Sequence, residues 1–185
     1  MNEEIAKLIE EIFSTQWALK TSPPAVKYNN VPFRQPANGE LITMTIVPGS
    51  EQQMSMGDEK VERQLGVVVF QIFTPKNIGD RRAKQIADLI AGVFRFRQFV
   101  LWSDNTITTL ANGKVITLAQ AGFLLTEGLD ILTTEDGQRI LLEGADTLPK
   151  TTILFRAPYP RDVGERSVYY QLNFIVPFQA DRLFS

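Results

Sequence analysis

Two segments of the chain repeat apolar residues at the spacing of an α-helix. The first spans residues 2–17 and carries on one face Ile5, Leu8, Ile9, Ile12 and Phe13. The second spans residues 80–94 and carries on one face Ala83, Ile86, Ala87, Ile90, Val93 and Phe94. Because each segment has one apolar and one polar face, the pattern predicts two amphipathic helices that cover another layer of structure.

Other segments alternate at the period of a β-strand. Residues 41–47 predict a half-buried strand, and residues 66–73, which are apolar on both sides, predict a central strand. Residues 151–157 and 167–177 predict two more strands, the last ending at a proline. The polar residues 48–60 predict a mobile loop. This order indicates an α+β fold in which an antiparallel sheet is packed by two helices.

Residues 124–148 contain an internal repeat. They read LLTEGLDI, LTTEDGQRI and LLEGADTL, each an apolar pair followed by an acidic turn with glycine. Each unit has the length of a short strand plus a turn, so the repeat predicts a β-meander or a short stack of β-turns. The spacing of a calcium loop is missing from these turns, so we interpret them as solvated strand ends.

Composition narrows the function classes. The chain has no cysteine and no histidine, which removes thiol chemistry, Ser-His-Asp triads and the usual zinc sites. The 19 basic and 21 acidic residues give a net charge of -2 without a basic stripe, which disfavours nucleic-acid binding. No apolar run reaches the roughly 18 residues of a membrane span, and Glu3 and Glu4 stand where a secretion signal needs basic residues. We expect no cofactor, no bound metal, no export and no enzymatic activity.

Three ordered segments carry a family resemblance: PPAVKYNNVPFRQP at residues 23–36, RQLGVVVFQIFTPKNIGDRRAKQIADLIAGVF at residues 63–94, and YYQLNFIVPFQADR at residues 169–182. Together they resemble the tail-terminator and minor tail proteins of long-tailed bacteriophages. The resemblance implies an α+β virion subunit that assembles in the host cytoplasm into a hexameric ring. It also implies partners: the tail-tube protein, whose polymerisation the ring stops, the head-side connector, and DNA that only passes through the lumen. Residues 103–150, which contain the repeat, depart from the family and look like a β-rich insertion, while residues 1–102 and 151–185 form the α+β domain that resembles it. The insertion is a candidate decoration of the outside of the ring, or a candidate contact for a neighbouring subunit, a sheath protein or a connector.

The candidate interface residues fall into three groups. The first group matches the first family segment and consists of Asn29, Phe33 and Arg34. The second lies on the polar face of the second helix and consists of Arg81 and Arg82. The third consists of aromatic residues outside the obvious core, namely Phe96, Phe99, Trp102, Tyr159 and Phe178. The simpler readings stay open, namely that the arginines are a solvated helix face and that the aromatics complete the core.

Three other functions remain as alternatives. A head-tail connector or other neck protein would share the virion location, and a cytoplasmic adaptor would not. A metal-dependent hydrolase or nuclease would need carboxylates, for which the candidates are Asp58, Asp80, Asp88 and Asp104.

Overall fold

The computed structural model describes residues 3–28, 31–34, 39–54, 60–76, 80–102, 107–111, 114–115, 149–165 and 169–184. Within these ranges the chain forms two helices and nine strands. The helices are α1 Glu3–Ala18 and α2 Arg81–Phe94. The strands are β1 Ala25–Lys27, β2 Leu41–Gln53, β3 Lys60–Pro75, β4 Arg97–Trp102, β5 Ile107–Ala111, β6 Lys114–Val115, β7 Pro149–Phe155, β8 Tyr159–Glu165 and β9 Tyr169–Phe184.

The strands follow the order β1-β2-β3-β9-β7-β4-β5-β6, and β8 pairs with β9 beside this path. The chain divides into two compact units. The first consists of Met1–Ser50, Gln64–Arg95 and Phe155–Phe178, and the second consists of Glu51–Arg63, Phe96–Leu154 and Gln179–Ser185. The first unit thus holds both helices with β1, β8 and parts of β2, β3 and β9. The second holds β4, β5, β6 and most of β7.

The expected α+β class with two helices is confirmed, but the expectation of an antiparallel sheet is wrong at β1. This strand pairs with β2 in parallel, with Ala25 opposite Leu41 and Lys27 opposite Thr43. A parallel pair needs a crossover of about a dozen residues or more, and residues 28–40 supply that length. The β4–β5, β4–β7, β5–β6 and β8–β9 pairs are antiparallel, so the sheet is mixed.

The core of the first unit is an aromatic cluster between the helices and one face of the sheet. Phe13 of α1 lies 4.9 Å from Phe70 of β3 and 5.8 Å from Phe94 of α2, measured between ring centroids. Phe94 lies 4.6 Å from Phe155. All four side chains are fully buried. Because full burial of such a side chain contributes about 1.5–3 kcal/mol, this cluster holds both helices on the sheet.

Local interactions stabilise both ends of α1. Glu3 and Glu4 lie in the first turn of α1, where negative charge is favourable near the exposed N–H groups. Trp17, near the other end, donates a hydrogen bond from Nε1 to the carbonyl oxygen of Pro24 at 3.1 Å. The predicted face of α1 is confirmed, since its apolar residues are buried. None of the described helices is long and apolar enough to span a bilayer.

One loop prediction and one strand end were wrong. The described residues of the expected loop over residues 48–60 are mostly strand, because β2 continues to Gln53 and β3 begins at Lys60. Residues 47–53 are exposed throughout, so this part of β2 shows no apolar alternation to read. Pro177 does not end β9, which continues to Phe184. A proline lacks only the donor, and the Pro177 carbonyl oxygen still accepts a hydrogen bond from the backbone N–H of Arg156 at 3.0 Å.

The predicted repeat over residues 124–148 lies outside the described residues, since residues 116–148 are not among them. Within residues 103–150 the structure describes β5 and β6, which form an antiparallel pair, and the start of β7. The β-rich insertion with short repeats therefore stays a prediction.

Candidate interaction surfaces

The first unit contains a pocket of about 320 Å³. Its walls are mostly aromatic or aliphatic, with one cation: Lys27, Phe33, Leu41, Phe73 and Tyr169. This volume lies at the lower end of the range for pockets that take small ligands, roughly 300–1,000 Å³. The pocket therefore has room for a small ligand or for one or two side chains of a partner.

Four elements bring these side chains together. The parallel β1–β2 pair sets Lys27 beside the start of β2. Phe73 near the end of β3 and Tyr169 at the start of β9 meet edge to face, with ring centroids 6.3 Å apart. Gly39 leads into β2 with φ +70°, a conformation that a side chain rarely adopts. A Cβ at Gly39 would lie 3.3 Å from Cγ of Pro75 and 3.9 Å from Cε1 of Tyr169, so a glycine allows this close approach.

A bidentate ion pair fixes the entry into β2. Arg82 of α2 donates from Nε to Oε1 of Glu40 at 2.7 Å and from Nη2 to Oε2 at 2.9 Å. The hydrogen bond to Glu40 raises the pKa of Arg82, which stays charged. The predicted interface residue Arg82 thus makes its described contact within its own chain. Its neighbour Arg81 is exposed in the first turn of α2.

The predicted aromatic residues separate into exposed and buried sets. Phe96 is 63% exposed and Tyr159 is 49% exposed. Phe99 and Phe178 are 1% and 3% exposed, so they form part of the core in the single chain. Trp102 is half-buried and donates from Nε1 to Oγ1 of Thr108 at 2.8 Å.

Phe96 stands out by its backbone as well as by its exposure. Its φ is +54°, which is uncommon for any residue with a side chain and rarer for a bulky one. It follows the end of α2, where the backbone N–H of Arg95 donates to the carbonyl oxygen of Ala91 at 2.8 Å. The sequence singles out Phe96 as an aromatic residue outside the obvious core, but it contains no signal for the left-handed backbone conformation at this position.

The remaining predicted interface residues lie near the pocket or outside the described residues. Phe33 is half-buried and lines the pocket, and the adjacent Arg34 is exposed. Asn29 lies outside the described residues. Sequence reasoning missed Lys27, although it lies in the first family segment, and it missed Tyr169, which it placed in a strand. The signal that the sequence offered for Lys27 and Tyr169 was their position at strand ends. That position does not reveal which residues the parallel β1–β2 pair places beside them.

A small polar network lies at the start of α2. Asp80 pairs with Lys84 one helical turn later, and their hydrogen bond lowers the pKa of Asp80. On β8, Asp162 accepts from Tyr170 Oη and from the backbone N–H of Gly164, both at 2.8 Å. Burial, followed by the bond to Asp162, raises the pKa of Tyr170 to about 12. These contacts join residues two to eight positions apart in the chain, so they stabilise the local structure of α2 and of the β8–β9 pair.

The carboxylates considered for metal chemistry do not converge in the described ranges. Asp80 pairs with Lys84, and Asp88 lies on the exposed face of α2. Asp58 and Asp104 lie outside the described residues. No group of three or more potential ligands occurs within the part of the chain that the structure describes.

The described geometry consists of two helices on a mixed sheet, a mostly apolar pocket and several exposed aromatic residues. Residues 4–121, more than half of the chain, match the family model of the phage tail terminator protein. The chain belongs to this family. It is therefore a structural protein of a phage tail, located in the virion, and not an enzyme.

The match to solved structures concerns the fold. A structure of a protein that carries no functional name aligns with a TM-score of 0.54 and 14% identity, over 97% of this chain and 95% of the other. A search of curated proteins found no match. At this identity the structural similarity supports the fold alone, so the family match carries the identification.

Proposed function

We propose that copies of this chain close into a hexameric ring that caps the tail tube, stops its polymerisation and joins the tail to the head-side connector. The family match over residues 4–121 is the observation that carries the proposal. A terminator needs a surface that the growing polymer accepts and a second surface that no further tube subunit accepts. A ring of identical copies supplies both, because head-to-tail contacts that close by rotation leave two different faces.

The exposed residues support contacts between copies. A stable interface buries more than about 1,000 Å² in total and is enriched in aromatic residues and arginine. Phe96, Tyr159 and Arg81 are exposed in the single chain and have this chemistry. We assign them to contacts with neighbouring copies or with the tube. Phe99 and Phe178 are assigned to the core, and the half-buried Trp102 stays a candidate contact.

Residues 103–150 are proposed to form a β-rich insertion beside the α+β domain. The family match ends at residue 121, within this segment. Three short strands are marginal by themselves, because the small aliphatic side chains of the repeats barely offset the cost of ordering the backbone. We therefore propose that the insertion leans on the domain or on a neighbouring copy.

The test combines the protein with separately purified tail tubes and head-side connector. We expect light scattering to detect rings and negative-stain images to place them at one end of each tube, with tube growth stopped. A protein that stays monomeric with tubes present would contradict the proposal. Binding to the connector without binding to tubes would instead identify a connector or neck protein.

A further inference from the structure

In the first unit, β1 is an edge strand next to a pocket. It stands at one end of the strand order and pairs with β2, and the described residues place no strand on its other side. An edge strand presents backbone N–H and C=O groups to which another extended segment can add. The pocket begins at this strand, because Lys27, its last residue, lines the pocket.

The two faces of this edge differ. Tyr28, which follows β1, is partly buried, and burial together with the negative charge of Glu10 on α1 raises its pKa. It therefore lies toward the helices. Lys27 is exposed and lies on the opposite face with Leu41, Phe73 and Tyr169. A segment added to β1 would thus meet an aromatic pocket and a positive charge on the face that the helices leave uncovered.

The other edge strand of this unit, β8, is built against strand addition. Pro160 lacks a backbone donor, and the β8–β9 register shifts between Asp162 and Gly164. Gly164 has φ +84°, and the side chain of Asp162 fixes the bulge by accepting from its N–H. Prolines and bulges are the usual means of blocking an edge. A second copy is therefore poorly suited to continue the sheet from its β8 onto β1.

We propose that β1 and its pocket receive an extended segment of the tail-tube protein, which carries an apolar side chain for the pocket and a carboxylate for Lys27. This inference rests on the proposed function, since it names the surface through which the chain meets the tube. The segment adds to β1 by backbone hydrogen bonds. Its apolar side chain packs between Phe33, Phe73 and Tyr169, and the charge of Lys27 selects an acidic neighbour.

The test uses the full chain and tubes assembled from purified tail-tube protein. Lys27→Glu reverses the charge at the pocket, and Phe33→Ala enlarges the pocket without touching a sheet strand. Arg161→Glu is the matched control, because it reverses the charge of an exposed residue on the opposite edge strand. We expect Lys27→Glu to weaken tube binding by about tenfold or more while ring formation and melting temperature stay unchanged. Phe33→Ala should weaken binding as well, and Arg161→Glu should not.

Hydrogen exchange supplies an independent readout. We expect the backbone amides of Val26 and Lys27 to become protected when tubes are added, because strand addition hydrogen-bonds the edge. Rings that still cap tubes, with Lys27→Glu binding like wild type and no new protection in β1, would overturn the inference and leave the proposed function standing. Equal weakening by Arg161→Glu would also overturn it. Wild-type protein that caps no tubes would overturn both.

Discussion

Gly66 and Phe178 lie so close that a single added methyl group would collide with the ring. A Cβ built on Gly66 would stand 2.5 Å from Cζ and 2.8 Å from Cε1 of Phe178, and 3.0 Å from the carbonyl oxygen of Val47. Phe178 is 3% exposed. The aromatic ring thus fills the space that the glycine leaves on the buried face of the sheet, a known way to compensate a glycine in a strand.

Gly66→Ala should therefore destabilise the protein. The new methyl group forces Phe178 or the neighbouring backbone to shift, which typically costs about 1–3 kcal/mol for an overpacked core. Urea unfolding followed by tryptophan fluorescence measures the change in the free energy of unfolding.

Gly92→Ala is the matched control for that experiment. Gly92 lies within α2, and a Cβ there meets nothing within 4 Å. Alanine is favoured over glycine in a helix interior by roughly 0.5–1 kcal/mol, so this variant should be more stable than wild type. Equal stability of the two variants would contradict the packing argument.

The sequence predicted the elements whose residues alternate between core and solvent. Both helices were found with nearly correct ends because residues such as Phe13 and Phe94 recur on one buried face. The central strand was found for a different reason, since residues 66–73 are apolar on both sides, and Val68, Phe70 and Ile72 are indeed buried. In both cases burial leaves a pattern of apolar residues that can be read without the structure.

What the sequence did not predict depends on contacts far apart in the chain. The parallel β1–β2 pair rests on three residues of β1, too few to show a period. The ion pair of Arg82 joins it to Glu40, 42 positions away. The pocket arises only where β1, β2, β3 and β9 meet. Single-residue exposure was equally hidden, since nothing local separates the exposed Phe96 from the buried Phe99.

A buried hydroxyl suggests a stabilising substitution. Thr74 is 0% exposed, and its Oγ1 has no hydrogen-bond partner within the described part of the chain. Burying an uncompensated hydroxyl costs about 1–3 kcal/mol, and valine has the same shape without this cost. Thr74→Val should raise the free energy of unfolding by about 1 kcal/mol. Thr45→Val, on the half-buried face of β2, is the control and should change the free energy of unfolding little. A loss of stability in Thr74→Val would indicate that the Thr74 hydroxyl has a hydrogen-bond partner after all.

The raised pKa of Tyr170 predicts how stability depends on alkaline pH. Its pKa is about 12 in the folded chain, mainly through burial and then through the hydrogen bond to Asp162, against an ordinary value of 10.0. Because the folded value is the higher one, the stabilisation is complete below pH 10 and is lost as pH rises through 12. The stability advantage of wild type over Tyr170→Phe should shrink across this window in urea unfolding.

Absorbance titration checks the same group directly. We expect one phenol to ionise near pH 12 in wild type and to be missing in Tyr170→Phe. Asp162→Asn removes the negative charge beside the phenol and should move this ionisation to lower pH. An unchanged titration in Asp162→Asn would show that the contact has no influence on the phenol.

Phe96→Gly should separate folding from assembly. Glycine adopts the φ of +54° that Phe96 holds without the roughly 1–2 kcal/mol cost of a left-handed backbone for other residues. Since Phe96 is 63% exposed, losing its side chain removes little packing within the single chain. The melting temperature should therefore stay the same or rise. If Phe96 is an anchor between copies, as proposed, removal of its aromatic side chain should weaken assembly of the ring of subunits by about tenfold or more, measured by light scattering across a dilution series.

Leu19→Ala is the control, because Leu19 is 77% exposed and has no assigned contact. Rings as tight as wild type in Phe96→Gly would exclude Phe96 from the interface, and a lower melting temperature would show that its ring serves the fold of the single chain.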